Sequence, residues 1–273
     1  MESLLKLLAA QTKFEDIAIL ASQHKNSIGP LSALLAGNFD FTLSRPCSDQ
    51  TAETLVPQSY NHYYPLRSKG DGNCLFNSIN KLICGSEKMA VELRLRTVVE
   101  LASYFDYYAD HPFVRNTKIT AMSKRASLVT TQSIYGTIIF GEEAHKQYET
   151  TGDFYAAVRK EIMLTAVNYQ YSGLLQIMGL SSVIQRDIKT VYPDQKSRFL
   201  SILQTTVQPK LKSPEFQSSQ EVLIMWSNTQ GWEDRSKAFW VNHFVPLIRR
   251  ESLSFTAIKS DTKSKGSNID WKV

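Results

Sequence analysis

Cys74 stands where a glycine-containing turn, "GDGN" at 70–73, gives way to an apolar run with helical spacing, "CLFNSINKLIC". A cysteine in the first turn of a helix lies at the positive end of the helix dipole, which favours thiolate over thiol. Gly70 and Gly72 let the backbone fold tightly ahead of it, so amide N–H groups, including that of Cys74, converge on one spot. Donors placed there would stabilise the charge that develops on an attacked carbonyl. Asp71 and Asn73 carry side chains suited to bracing such a turn through hydrogen bonds to its backbone. The chemistry this layout suits is nucleophilic catalysis by a thiol. It also suits a buried structural cysteine after an ordinary glycine turn, and the local residues leave both open.

Other chemistries fail on residues. A dinucleotide fingerprint needs a third glycine where Leu75 stands, and a phosphate-binding loop needs Lys followed by Ser or Thr. The three cysteines (47, 74, 84) and five histidines (24, 62, 111, 145, 243) form no pair at metal-ligand spacing, so no metal site is expected. A thiol nucleophile wants a histidine distant in sequence and near in space. His243, in the β-prone run "FWVNHFVPLI", is the best placed, because a strand holds an imidazole rigidly. The alternative is a satisfied, half-buried strand histidine. His62, in "YNHYYPL", is the rival base, and His24, His111 and His145 sit in polar or turn contexts.

The elements around these residues follow from pattern. Residues 1–35 read as two short helices broken near "NSIGP". "YNHYYPLRS" reads as a strand leading into the glycine turn. A helix is expected from Cys74 to Ile83, stopping at Gly85, and Ser86 is a fair N-cap for a long helix through "EKMAVELRLRTVVELASYFDYY". One or two helices follow from Gly152. "EVLIMWS" (221–227) and "AFWVNHFVPLI" (238–248) read as strands. A helical middle between strand-forming ends predicts an α+β domain over 36–250, with an N-terminal helical segment (1–35) before it and a Ser/Lys-rich tail (251–273) after it.

Composition narrows the function classes. With 42% hydrophobic and 21% charged residues in 273, the chain has an ordinary globular make-up and the length to bury a core. No apolar run approaches a bilayer span, and the N-terminus reads as an amphipathic helix rather than a signal peptide. Few and irregular cysteines point to a reducing compartment, hence a cytoplasmic or nuclear location. The net charge of +5 permits nucleic-acid contact, although no stretch concentrates the basic residues.

"GDGNCLF" opening a helix, with a late "NHFVPL", resembles the ovarian-tumour (OTU) family of papain-like cysteine proteases. "ELRLRTVVEL" is similar to that family's second helix, and the likeness runs over roughly residues 60 to 250. The pattern is most like the Cezanne and Trabid branch, and is similar also to vertnin-like OTU proteins found near mobile elements. The resemblance implies a papain-like OTU fold, a small central β-sheet flanked by helices with the nucleophile at a helix N-terminus. It implies hydrolysis of the (iso)peptide bond after the C-terminal glycine of ubiquitin or a ubiquitin-like modifier, with no cofactor. Polyubiquitin chains would be the partners.

Carried onto these residues, Cys74 would attack, His243 would act as base and then acid, and Asp71, Gly72 and Asn73 would form or support the oxyanion loop. Many members orient the histidine with Asp or Asn two residues on, but position 245 is valine here. The Cezanne-like branch takes its acid from upstream, which makes Asp40 the candidate, with a surface-turn carboxylate as its equal alternative. Asn242 is a second candidate, although its side chain belongs on the opposite strand face from His243. A narrow channel for the modifier's tail would be walled by Trp240 or Phe244. The tail's arginines would meet acids of "GEEAHKQYETTGD", Glu142 and Glu143 above all, unless these form a solvated helix face. The contrasting function is a catalytically silent OTU-like module that binds ubiquitin or nucleic acid.

Overall fold

The structure, a computed structural model, describes residues 1–28, 31, 47–114, 152–194, 200–212, 221–231 and 241–251. Asp40, Glu142, Glu143, Trp240, His145 and the tail beyond residue 251 lie outside the described residues. In chain order the helices are α1 (Glu2–Ala9), α2 (Phe14–Ile28), α3 (Gln50–Glu53), α4 (Cys74–Cys84), α5 (Ala90–Ser103), α6 (Phe105–Ala109), α7 (Phe154–Ala166), α8 (Leu174–Ile184) and α9 (Leu200–Leu203). The strands are β1 (Tyr63–Pro65), β2 (Ile188–Val191), β3 (Thr206–Val207), β4 (Val222–Ser227) and β5 (His243–Arg249). Helices and a small mixed sheet make an α+β fold, as expected.

The sheet runs β1-β5-β4-β2-β3. Only the β2–β4 pair is parallel, and the other neighbours are antiparallel. Every residue of β4 is buried, which is why "VLIMWS" reads as an unbroken apolar run rather than an alternating one. β5 lies between β4 and β1, with Ser227 opposite His243 and Trp226 opposite Phe244. Pro246 has no N–H to give the ladder, but its carbonyl accepts from the Leu66 amide at 2.9 Å. Just past that contact the chain leaves the sheet towards the glycine turn.

α4 carries its apolar face, Leu75, Phe76, Ile79, Leu82 and Ile83, into the core against β5. Each such side chain contributes about 1.5–3 kcal/mol of burial. Ser78 fixes the helix to the strand by donating to the Phe244 carbonyl at 3.0 Å. Gly85 ends the helix in the left-handed region (φ 66°), with its amide on the Lys81 carbonyl. The expected terminator is therefore in place.

Several boundaries differ from expectation, and the long helix expected through Tyr108 is broken at Tyr104, between α5 and α6. α5 starts at Ala90, not after Ser86. Glu87 accepts from the Lys69 amide at 3.3 Å and pairs with Lys81 at 2.9 Å, which draws the preceding residues into a turn. The N-terminal helices break at residues 10–13, and α2 runs on to Ile28. Their residues Leu5, Leu8, Ile17 and Ala21 belong to the same hydrophobic core as α4 and α5.

Candidate active site

Cys74 is the first residue of α4, and its side chain is 98% shielded from solvent (2% exposed). The turn before it is braced as its residue types imply. Asp71 Oδ1 accepts from the Asn73 amide at 3.0 Å and from Asn77 Nδ2 at 3.1 Å. Gly72 adopts φ 79°, and a Cβ there would lie 1.8 Å from the Tyr169 carbonyl oxygen. Only glycine fits between the turn and the segment after α7. Because Asp71 already holds the Asn73 N–H, that amide is not free for a developing oxyanion. The Cys74 amide makes no hydrogen bond among the described residues and remains available.

His243 opens β5 and is also buried. A Cβ on Gly70 would come within 3.8 Å of His243 Cε1 and Nδ1, so the turn runs directly beside the imidazole. Nδ1 is buried without a hydrogen-bond partner. Turn, thiol and imidazole are thus assembled at the junction of α4 and β5.

The electrostatics run against the helix-dipole expectation. Burial pushes the Cys74 thiol up to about 11, and the Asp71 charge adds to that. Hydrogen bonds from the Phe244 and Leu75 backbone and the positive charge of Arg94 pull the other way and lose. Burial also lowers the His243 pKa, against the Asp49 carboxylate, a hydrogen bond to the Ser68 backbone, and the Asp71 and Glu87 charges. At neutral pH the two groups are a neutral thiol and a neutral imidazole, not an ion pair. Desolvation of both groups outweighs a dipole that acts only at the helix end.

The structure separates the other expected site residues. Phe244, expected as a channel wall, is a core residue packed on Trp226 (ring centroids 4.4 Å), and its backbone reaches the Cys74 thiol. Asn242 Oδ1 accepts from the Thr229 amide at 3.1 Å and so caps the end of β4. Asp153, last of the acidic cluster, caps α7 by accepting from the Ala156 amide at 3.1 Å. His62 is exposed and packs on Tyr63. Among the described residues no cluster of His, Cys, Asp and Glu could hold a metal ion.

Three residues escaped the sequence reading. Asp49 exerts the largest favourable charge effect on His243, while its Oδ1 also caps α3 through the Ala52 amide at 2.9 Å. Its signal was an "SDQ" N-cap pattern ahead of a strand. Asn77 braces Asp71 from one turn into α4. Arg94 is fully buried beside the turn. It falls at i+4 from Ala90 and i−4 from Val98, which places an arginine on the apolar stripe of α5.

The family model for the OTU domain of vertnin matches residues 65–227, which include the turn, α4, Arg94 and β4. His243 lies beyond the matched span. Among similar proteins, vertnin of Danio rerio is 24% identical over 228 residues, covering 80% of this chain and 31% of that protein. Vertnin of Homo sapiens is 24% identical over 206 residues, covering 75% of this chain and 27% of that protein. The chain therefore spans less than a third of the length of these relatives. Among solved structures, the OTU domain of OTUD1 overlays 73% of this chain and 99% of its own at 15% identity and a TM-score of 0.38. The viral OTU domain protease from Farallon virus overlays 69% and 85% at 12% identity, also with a TM-score of 0.38. Since the family model spans more than half of the chain, and the braced turn and helix-start cysteine lie within it, the chain belongs to the vertnin OTU-domain family.

Proposed function

We propose that this domain is a thiol-dependent hydrolase of the (iso)peptide bond after the C-terminal glycine of ubiquitin or a ubiquitin-like modifier. The observation that carries the reading is a buried helix-start thiol set against the Phe244 backbone, one residue on from a buried imidazole whose Nδ1 has no partner. In the free protein the site rests with both groups neutral. In the working cycle the Cys74 proton passes to His243, and the sulfur attacks the terminal glycine carbonyl. The Cys74 amide steadies the oxyanion, and His243 returns the proton to the departing amine. Water, deprotonated by His243, then cleaves the thioester and frees the sulfur.

A second reading is favoured by the thiol held up near 11: a silent module that binds the modifier without cutting it. Ubiquitin carrying a C-terminal electrophile separates the two. The expected result is one adduct, on Cys74, lost in Cys74→Ala, kept in Cys84→Ser, and slowed by about 100-fold or more in His243→Ala. Binding without any adduct would establish the module. An adduct confined to Cys47 or Cys84 would overturn the protease.

A further inference from the structure

The side chain of Arg94 is fully buried, and all five of its N–H donors are used. Nε donates to Asn73 Oδ1 at 2.7 Å. One terminal nitrogen donates to the carbonyls of Thr165 (3.0 Å) and Val167 (3.2 Å). The other donates to the carbonyls of Gly72 (2.9 Å) and Gln170 (2.7 Å). Two acceptors thus belong to the turn before Cys74, and three to the chain leaving α7. Asn73 Nδ2 closes the bridge by donating to Asn168 Oδ1 at 3.0 Å, and the Phe76 ring lies 4.6 Å from the guanidinium carbon.

The bond to Gly72 fixes one peptide plane from both sides. Its C=O is held by Arg94, so the Asn73 N–H of the same plane points the opposite way, where Asp71 Oδ1 accepts it. With that plane unable to flip, the next amide, that of Cys74, follows a fixed peptide and makes no hydrogen bond among the described residues. Burying a cation here is costly: desolvation lowers the Arg94 pKa to about 10 despite its interactions with the Cys74 sulfur and the Asp71 and Glu161 carboxylates. A well-packed apolar residue would often fill such a place with equal or better stability. The arginine brings something apolar packing does not: a planar fork that joins two chain segments, and a fixed charge near the sulfur.

We propose that Arg94 is a positioning residue for the reaction, clamping the 72–73 peptide to the 165–170 segment so that the Cys74 amide and sulfur are preset for attack. This rests on the reading of Cys74 as nucleophile. Arg94→Gln and Arg94→Lys, made in the full chain, test it by three readouts: thermal melting, Cys74 alkylation by iodoacetamide against pH, and capture by the ubiquitin electrophile. The charges facing the site are Arg94 of α5, Asp71 of the turn, Glu161 of α7, His243 of β5, and Asp49 and Glu87 beside it.

Arg94→Gln removes one positive charge, so the alkylation limb should move up by about one pH unit, and capture should slow by about tenfold or more. Arg94→Lys keeps the charge, so the limb should stay near wild type. Capture should still slow, because one ammonium cannot span both segments. Lower melting temperatures with an unchanged limb and unchanged capture per folded molecule would overturn the proposal, as would loss of the fold in both variants. Either result marks a residue that only holds the core. If wild type is not captured at all, the hydrolase reading fails and the positioning role fails with it; wild-type capture with unchanged capture in both variants fails the clamp alone.

Discussion

Gly72 rests against the Tyr169 carbonyl so closely that a methyl group on its Cα would fall 1.8 Å from the oxygen. The neighbour is backbone, so it cannot swing aside, and the φ of 79° is itself unfavourable for any other residue. Gly72→Ala should cost roughly 2–4 kcal/mol in urea unfolding and abolish electrophile capture. Gly85→Ala is the control, since its φ of 66° is similar but a Cβ there meets nothing within 4 Å. It should cost about 1 kcal/mol and leave the site intact. Equal losses at the two positions would mean that the Tyr169 contact does not constrain the turn.

The pH behaviour follows from a thiol raised to about 11 and an imidazole lowered from its usual value, both chiefly by burial. Alkylation of Cys74 in the free protein should climb through alkaline pH with no plateau below about pH 9. A plateau near neutrality would reveal a preformed thiolate–imidazolium pair.

The same shifts set a stability window. The thiol's folded pKa lies above its unfolded value, so its contribution is whole below that value and is lost as pH rises through the folded one. The imidazole's folded pKa lies below its unfolded value, so its contribution is whole above about 6.5 and is lost as pH falls through the folded one. Melting temperature against pH should therefore be flat between those limits. His243→Gln should lessen the acid-side fall, which His111 shares, and Cys74→Ala the alkaline one, which Cys84, Tyr108 and Tyr192 share.

Asp49 gives His243 its largest favourable charge and also caps α3, and Asp49→Asn separates the two roles. Asparagine caps as well as aspartate, so stability should change by only a few tenths of a kcal/mol. Loss of the charge should lower kcat by about tenfold with KM unchanged, because the modifier still docks. Wild-type kcat in this variant, with a large loss in Asp40→Ala, would return the orienting role to Asp40.

Cys84 sits at the far end of α4, half-buried, with its sulfur 3.9 Å from Met89 Sδ. Cys84→Ser should leave kcat/KM within about twofold and cost about 1 kcal/mol for the hydroxyl set against a thioether. A kcat loss matching that of Cys74→Ala would make both cysteines structural.

The helix that begins at Cys74 was legible because its signals are local. "GDGNC" names the turn and the start, and Gly85 names the stop, which the structure puts one residue beyond Ile83. β4 was legible because a strand buried on both faces is continuously apolar. The start of α5 was not, because Glu87 is held by Lys69 and Lys81 from other parts of the chain, and this overrides Ser86 as a cap. The packing of Phe244 was not legible for a similar reason: adjacency to His243 says nothing of Trp226, its partner across the sheet. The resting charge state was hidden too. The helix dipole can be read from spacing, whereas desolvation depends on residues brought in from β5, α5 and the 165–170 segment.

A sulfur kept protonated is also slow to oxidise. Peroxide reacts with thiolate, and a thiol near 11 offers only about one part in 10⁴ of it at neutral pH. Cys47, exposed on the surface, should therefore reach sulfenic acid first under peroxide, leaving Cys74 as thiol. A domain so arranged would pass through an oxidative episode with its helix-start thiol intact, needing no reductant to restore that sulfur.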